Sequence, residues 1–318
     1  ACGLGLAVVC GGCGAQPRAT APPARLASTS DRIDVAITVD DLPRNGPDIP
    51  GVTRLAVHER MLAAFARHRT PPVYGFVNGK ALEEHPEERA ALDAWRSAGF
   101  PLGNHGYAHA HAGDLSVAAF LSDLDRNERV LGELAGPDAA ARASKVFRFP
   151  FLEEGADVPS RARLRAELAE RGYRIAEATI DFFDWAYAPP YARCLEQGDA
   201  RAVDALKETY LYQAAGALLW ADEAARGLFG RPIKQILLLH DNAFTALVAD
   251  ELLTTYEKRG ARFVSLDEAL SDPAYAEEPR VPKDCCGHFF MQVRASRGTR
   301  SPAFPPQPDT LLDLVCRR

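Results

Sequence analysis

Short apolar runs alternate with amphipathic segments along the chain from about residue 33 to 270. "IDVAITV" (33–39), "PVYGFV" (72–77), "PLGNH" (101–105), "KVFRFP" (145–150), "RIAEATI" (174–180), "QILLLH" (235–240) and "RFVSL" (262–266) read as buried strands. Between them the period changes to that of a helix. "VTRLAVHERMLAAFARH" (52–68) offers Leu55, Met61, Leu62 and Phe65 to one face. The stretches 86–99 and 160–172 end at Gly99 and Gly172, which are C-cap signals, and Ser116 is an N-cap candidate for 116–134. Further helical patterns cover about 200–226 and 246–260.

Strands separated by helices predict parallel pairing with crossover helices, hence an α/β fold. Seven strands fit a closed or nearly closed barrel, with an open doubly wound sheet as the competing architecture. No Gly-rich phosphate loop follows any strand, and no internal repeat is visible. From about residue 272 periodicity stops and Pro and Arg become frequent. The expected organisation is a leader and linker over 1–30, an α/β domain over 31–272 and an irregular tail over 273–318.

Composition changes this picture mainly at the ends. The chain has 318 residues, 47% hydrophobic and 25% charged, with a formal net charge of -6 and no basic block. That predicts a globular domain and no nucleic-acid partner. Residues 1–13, "ACGLGLAVVCGGC", resemble the end of a secretory segment, and Cys13 after two glycines resembles a lipoprotein cleavage site. A start with chance cysteines is the alternative. The reading predicts an exported protein that is periplasmic, extracellular or lipid-anchored, with membrane contact only through such an anchor. The seven cysteines form no framework: Cys2, Cys10 and Cys13 lie in the leader, Cys194 stands alone, and Cys285, Cys286 and Cys316 lie in the tail. A disulfide between tail cysteines is left open, as is the oligomeric state.

In parallel α/β folds chemistry gathers at the C-terminal ends of the strands. Here those ends carry Asp40-Asp41, His105 with His109 and His111 beyond it, Arg148-Phe149-Pro150-Phe151, Asp181 with Asp184 and Trp185, and His240-Asp241. His105 and His109 stand four apart, so one helical turn would aim both at one ion. Asp41 from a neighbouring strand would complete a His-His-Asp site with positions left open, an arrangement suited to catalytic zinc-like metals. His111 falls to the rim. Helix capping is the alternative for Asp181 and Asp184. His58, His68 and His85 lie away from the strand ends and carry no functional reading; His288 in the tail gives none either.

Five segments resemble, in order, the five motifs of the polysaccharide deacetylases, the NodB-like carbohydrate esterase family 4: "TVDD" (38–41), "HGYAH" (105–109), "RFPF" (148–151), "DFFDW" (181–185) and "LLH" (238–240). The resemblance covers about residues 33–270 and implies a distorted (β/α)7 barrel. It implies one divalent metal held by Asp41, His105 and His109, with zinc first and cobalt or nickel as alternatives. Asp40 would be the general base acting on metal-activated water, His240 the general acid, Arg148 the partner of Asp40, and Asp184 or Asp181 the group orienting His240. Phe151 and Trp185 would bind substrate, Phe151 also through its backbone N–H. The implied activity is removal of acetyl groups from N-acetylated or O-acetylated carbohydrate. Two other readings stay open: hydrolysis of a small non-sugar amide, with 186–232 closing over the groove, and a non-catalytic glycan-binding lipoprotein. Gly106 departs from the pattern, which has Ser or Thr there, so a loop-fixing hydroxyl is missing. Glu153 and Glu154 follow Phe151 and read as a solvated loop, with selection of a substrate carrying a free amine or cationic group as the alternative.

Overall fold

The longest strand, β1 (Ile33–Leu42), is the centre of the architecture. Its burial is nearly continuous, as expected of a parallel strand covered on both faces. The computed structural model describes residues 32–135, 145–281, 287–299 and 304–317. Six further strands follow: β2 (Tyr74–Val77), β3 (Leu102–Asn104), β4 (Val146–Phe147), β5 (Arg174–Ile175), β6 (Gln235–His240) and β7 (Ala261–Val264). The helices are α1 (Arg54–Arg67), α2 (Gly79–Glu84), α3 (Arg89–Ser97), α4 (Val117–Ala135), α5 (Val158–Glu170), α6 (Ala188–Glu196), α7 (Ala200–Phe229), α8 (Ala243–Glu257), α9 (Leu266–Leu270), α10 (Phe289–Arg297) and α11 (Asp309–Leu314).

The strands run in the order β5-β4-β3-β2-β1-β6, and every ladder is parallel. Beyond β5 the chain crosses to β6. The N–H groups of Thr179 and Ile180 both donate to the Ile236 carbonyl at 3.0 Å, and Leu238 N–H donates to Ile180 at 2.9 Å. A short bridge therefore does what a full strand over 174–180 was expected to do. β7 pairs only with the first residues of β1, Ile33 to Ala36, instead of standing between β6 and β1. The barrel is distorted for these reasons. The register that matters for chemistry is that of β1 on β6, which sets Asp40 beside His240.

The main core joins Val35, Ile37 and Val39 of β1 to Met61 and Phe65 of α1, Tyr210 and Leu218 of α7, and Leu252 and Leu253 of α8. Thr53 caps α1 by accepting the Ala56 N–H at 3.1 Å, so the helix starts where the chain must turn back over the sheet.

The tail departs most from its sequence reading. It holds α10 and α11, and Phe289, Phe290 and Val293 are fully buried in the main core. Cys194, which the sequence left alone, forms a disulfide with Cys316 across 122 residues. An apolar face spread over Phe289, Phe290 and Val293 is too short to stand out among prolines and arginines. The leader cysteines Cys2, Cys10 and Cys13, and Cys285 and Cys286, lie outside the described residues. Among the described residues no helix is long and apolar enough to cross a membrane.

Candidate active site

The ends of β1, β3, β4 and β6 converge on a cleft of about 540 Å³. Asp40, Asp41, His105, His109, Phe151, Asp181, Trp185 and His240 all line it. Arg148 and Asp184 stand behind this surface, each fully buried.

Asp41, His105 and His109 form one group. Asp41 Oδ1 is 3.2 Å from His109 Nε2 and 3.4 Å from His105 Nε2. His105 Nδ1 lies 2.8 Å from the Arg148 carbonyl, which can only accept. In a neutral ring the proton is thus on Nδ1, and Nε2 turns a lone pair toward Asp41. Asp41 Oδ1 is buried without a hydrogen-bond partner, while Oδ2 accepts from Asn45 at 2.7 Å. Although burial opposes its ionisation, the adjacent imidazoles hold the Asp41 carboxyl well below the usual range. Burial also holds His109 below the usual imidazole range, against the pull of Asp41. Lone pairs facing an orphaned carboxylate oxygen are the donor set a divalent cation fits, and these three residues meet as a group that could hold one.

The two histidines do not reach this position on a helical turn, as their spacing suggested. Residues 105–110 are irregular, and the loop turns through left-handed conformations at Gly106 (φ 72) and His109 (φ 50). A Cβ at Gly106 would lie 2.8 Å from Asp123 Oδ2, so the Ser or Thr of the family pattern has no room in this conformation. Asp123 takes over the fixing role: it accepts the N–H of Tyr107 at 2.7 Å and of Ala108 at 3.0 Å. Asn78 secures the other side, donating to the carbonyls of His105 and Gly106. Neither support was legible in the sequence, because both act through backbone groups brought together by folding.

Asp40 is held by Arg148, whose Nη1 lies 3.3 and 3.4 Å from the two carboxylate oxygens. Arg148 also donates to Thr38 Oγ1 and to the carbonyls of Ala176 and Glu177, so its position is fixed from β1 and from the segment just after β5. Asp40 Oδ2 is 3.6 Å from His105 Nε2, which sets this carboxylate at the edge of the cation group.

His240 faces them across the cleft. Its Nδ1 donates to Asp184 Oδ1 at 2.7 Å, and its backbone N–H donates to Asp184 Oδ2 at 2.8 Å. Thr245 Oγ1 adds a third bond to Asp184 at 2.8 Å. Burial lowers the His240 pKa, but the charges of Asp184, Asp41 and Asp40 override it and push it up to about 10. Of the two acids proposed to orient His240, the structure brings only Asp184 to it. Asp181 instead accepts the Phe183 N–H at 2.9 Å, and burial pushes its carboxyl up to about 6.

The walls are aromatic. Phe151, Phe183 and Trp185 are 52%, 37% and 47% exposed. The Phe151 ring lies 4.4 Å from that of His109 and stacks on His111 at 3.8 Å. His111, set at the rim by the sequence, pairs with Glu153 at 2.5 Å. Glu154 is not in a solvated loop: it is buried and paired with Arg161 and Arg165. Asp41, His109, Phe151, Leu152 and Phe183 all have φ between 50 and 65°, and all line the cleft. Each such residue costs about 1–3 kcal/mol, so backbone strain is concentrated where the side chains must converge. Sequence reasoning missed Asn45, Leu152, Phe183, Leu238, Gly287, His288 and Met291 as lining residues. Of these, Phe183 and Leu238 carried a signal, since they fall inside the 181–185 and 238–240 motifs.

Residues 27–176 match the family described as "Polysaccharide deacetylase". No curated protein matches the chain. Among solved structures, a mutant of a family 4 carbohydrate esterase pseudoenzyme from Bacillus anthracis is similar at 16% identity and a TM-score of 0.50, over 76% of this chain and 68% of that one. A family 4 carbohydrate esterase from Streptomyces lividans in complex with acetate is 21% identical over 74% of this chain and 94% of that one, with a TM-score of 0.46. A chitin deacetylase from Colletotrichum lindemuthianum is 23% identical over 75% and 88%, with a TM-score of 0.47. At such identities the likeness concerns the fold, a parallel sheet curled with its helices into a distorted barrel. The family match ends before Asp181, so the later strand ends rest on the geometry above. On its sequence match over residues 27–176 and its fold, this chain resembles the NodB-like polysaccharide deacetylases.

Proposed function

We propose that the chain is an active hydrolase that removes acetyl groups from N-acetylated or O-acetylated carbohydrate. The observation that carries this reading is the pairing of opposite machineries across one cleft. On one side lies an Arg148-held carboxylate beside the orphaned Asp41 oxygen and the His105 lone pair. On the other lies an imidazole oriented by Asp184.

Asp41, His105 and His109 would hold a divalent cation, zinc first, with cobalt or nickel as alternatives. When bound, such a cation supplies Lewis acidity, acidifying water and polarising an acyl carbonyl. Asp40 takes the proton of the attacking water, and its contact with Arg148 holds the carboxylate in place for that task. His240 gives a proton from Nε2 to the departing amine or alcohol, and Asp184 on Nδ1 fixes the tautomer and the ring plane. Two carboxylates on adjacent residues divide the work because one faces imidazole lone pairs and the other a guanidinium. Phe151 and Trp185 flank the acyl-bearing sugar.

The reading of a small enclosed amide depended on 186–232 covering the groove, yet no residue of that segment lines the cleft. The glycan-binding alternative is separated by turnover. The same proposal extends to location: an exported protein suits the Cys194–Cys316 disulfide, since disulfides persist in oxidising compartments. Anchoring through Cys13 belongs to this proposal too.

The test is acetate release from chito-oligosaccharides, peptidoglycan fragments and acetylated xylan, after chelation and after zinc or cobalt is restored. Release that needs the metal and falls at least about 100-fold in D40N is expected, the scale of a lost general base. Metal-independent release, or sugar binding without turnover, would overturn it.

A further inference from the structure

One wall of the cleft comes from outside the barrel. Gly287, His288 and Met291 of the tail line it. The tail is firmly held there. Phe289 N–H donates to the Ala178 carbonyl at 2.8 Å, Arg161 Nη2 donates to Gln292 Oε1 at 3.0 Å, and Gln292 Nε2 donates to the Gly287 carbonyl at 2.7 Å.

His288 is 3% exposed, and neither of its ring nitrogens has a hydrogen-bond partner. Its neighbours are aromatic: the rings of Trp220 and Phe304 lie at 5.1 and 5.8 Å. Burying two unmatched polar atoms is costly, and packing alone would be better served by a Phe or Leu. Burial pulls the ring down to about 4, so it is neutral and offers one N–H and one lone pair. A second, small void of about 10 Å³ is also lined by His288. That is at the limit of a single water, which could match one nitrogen only. The other space that His288 lines is the cleft itself.

We propose that His288 is a specificity residue that hydrogen-bonds a hydroxyl of a neutral sugar bound in the cleft. A hydroxyl both donates and accepts, which suits a neutral imidazole of either tautomer. Phe151, Phe183 and Trp185 supply the flat apolar surfaces that the C–H face of a pyranose needs, so the cleft combines apolar walls with a few placed polar groups. The subsite is a feature of the tail and not of the barrel motifs. It rests on reading the cleft as an acetyl-sugar site.

The experiment uses the full chain with metal restored, as wild type, H288F and H288Q. Two substrates are compared: the tetramer of N-acetylglucosamine, and 4-nitrophenyl acetate, which carries the acetyl group but no sugar. In H288F the ratio of kcat/KM for the tetramer to that for the aryl ester is expected to fall about tenfold through KM, the scale of one lost hydrogen bond. H288Q, which keeps a donor and an acceptor, is expected to recover part of it. If H288F does not fold, a smaller fall in H288Q carries the test. A lower melting temperature with an unchanged ratio would overturn the proposal and leave His288 a packing residue. If wild type hydrolyses neither substrate, the proposed chemistry fails separately, and calorimetric titration with the tetramer decides. Weaker binding to H288F than to wild type supports the subsite; equal binding, or none, overturns it.

Discussion

Two histidine–aspartate pairs flank the end of β6, and they are alike in composition and opposite in use. His240 Nδ1 meets Asp184 at 2.7 Å; His58 Nε2 meets Asp241 at 2.5 Å. His240 keeps its second nitrogen for the cleft it lines. His58 does not: its Nδ1 lies 2.9 Å from the Ala91 carbonyl, so both ring nitrogens face acceptors. The His58 pair is sealed, with 0% and 1% side-chain exposure. It ties α1 and α3 to the chain beyond β6, and Asp241 also donates its N–H to the Asp40 carbonyl and accepts the Asn45 N–H on its own. The first pair opens onto the cleft and the second does not. The difference lies in the partner of the second nitrogen, not in the residue types.

The comparison breaks if Asp184 and Asp241 prove interchangeable in effect. D184N is expected to give the largest change, a fall in kcat of about 10²–10³-fold, the scale of a lost general acid. Steady-state kinetics with KM little altered checks it. The stability of this pair also has a sign. A folded-state pKa near 10 for His240, above its usual 6.5, means a contribution fully present below pH 6.5 and lost as pH rises toward 10. Denaturant melts from pH 6 to 10 should show that loss in wild type and a flatter curve in D184N. A bound cation opposes the imidazolium charge and moves the alkaline limb of kcat to lower pH.

D241N should move stability instead. Breaking a buried pair leaves an unmatched partner and is expected to cost about 3 kcal/mol in urea unfolding, while the folded fraction keeps most of its kcat. A large kcat loss at unchanged stability would show that the sealed pair acts on the chemistry. D181N sharpens the contrast at the small end. Because burial raises the Asp181 pKa to about 6, its ionisation weakens the fold as pH rises from 4 to 6, and the amide removes that dependence. Its kcat should stay within about threefold of wild type, less than one kcal/mol in the barrier.

Much of the site was legible because it sits on strand ends. The alternation of apolar runs and helical periods predicts parallel strands, and parallel strands deliver their C-terminal residues to one face. Asp40, His105, Arg148 and His240 follow from that rule, and His240 falls at the last residue of β6 as expected. Choosing Asp184 over Asp181 did not follow. Both lie in one motif, and the choice depends on Phe183 adopting a left-handed turn that gives Asp181 a backbone N–H to accept and frees Asp184 for His240. The route by which His109 reaches Asp41 was equally hidden, since a spacing of four is compatible with a helix and with a kinked loop.

Local chemistry therefore determined, from the sequence alone, which residue types stand at the strand ends and that the strands are parallel, because both depend on short-range periodicity. Tertiary structure alone decided what completes the cleft. The tail wall at His288, the Cys194–Cys316 link and the Asp123 support of the histidine loop join positions far apart in sequence or held through backbone groups. Such contacts leave no periodic trace, because the free energy that selects them is gained only once distant surfaces are packed together.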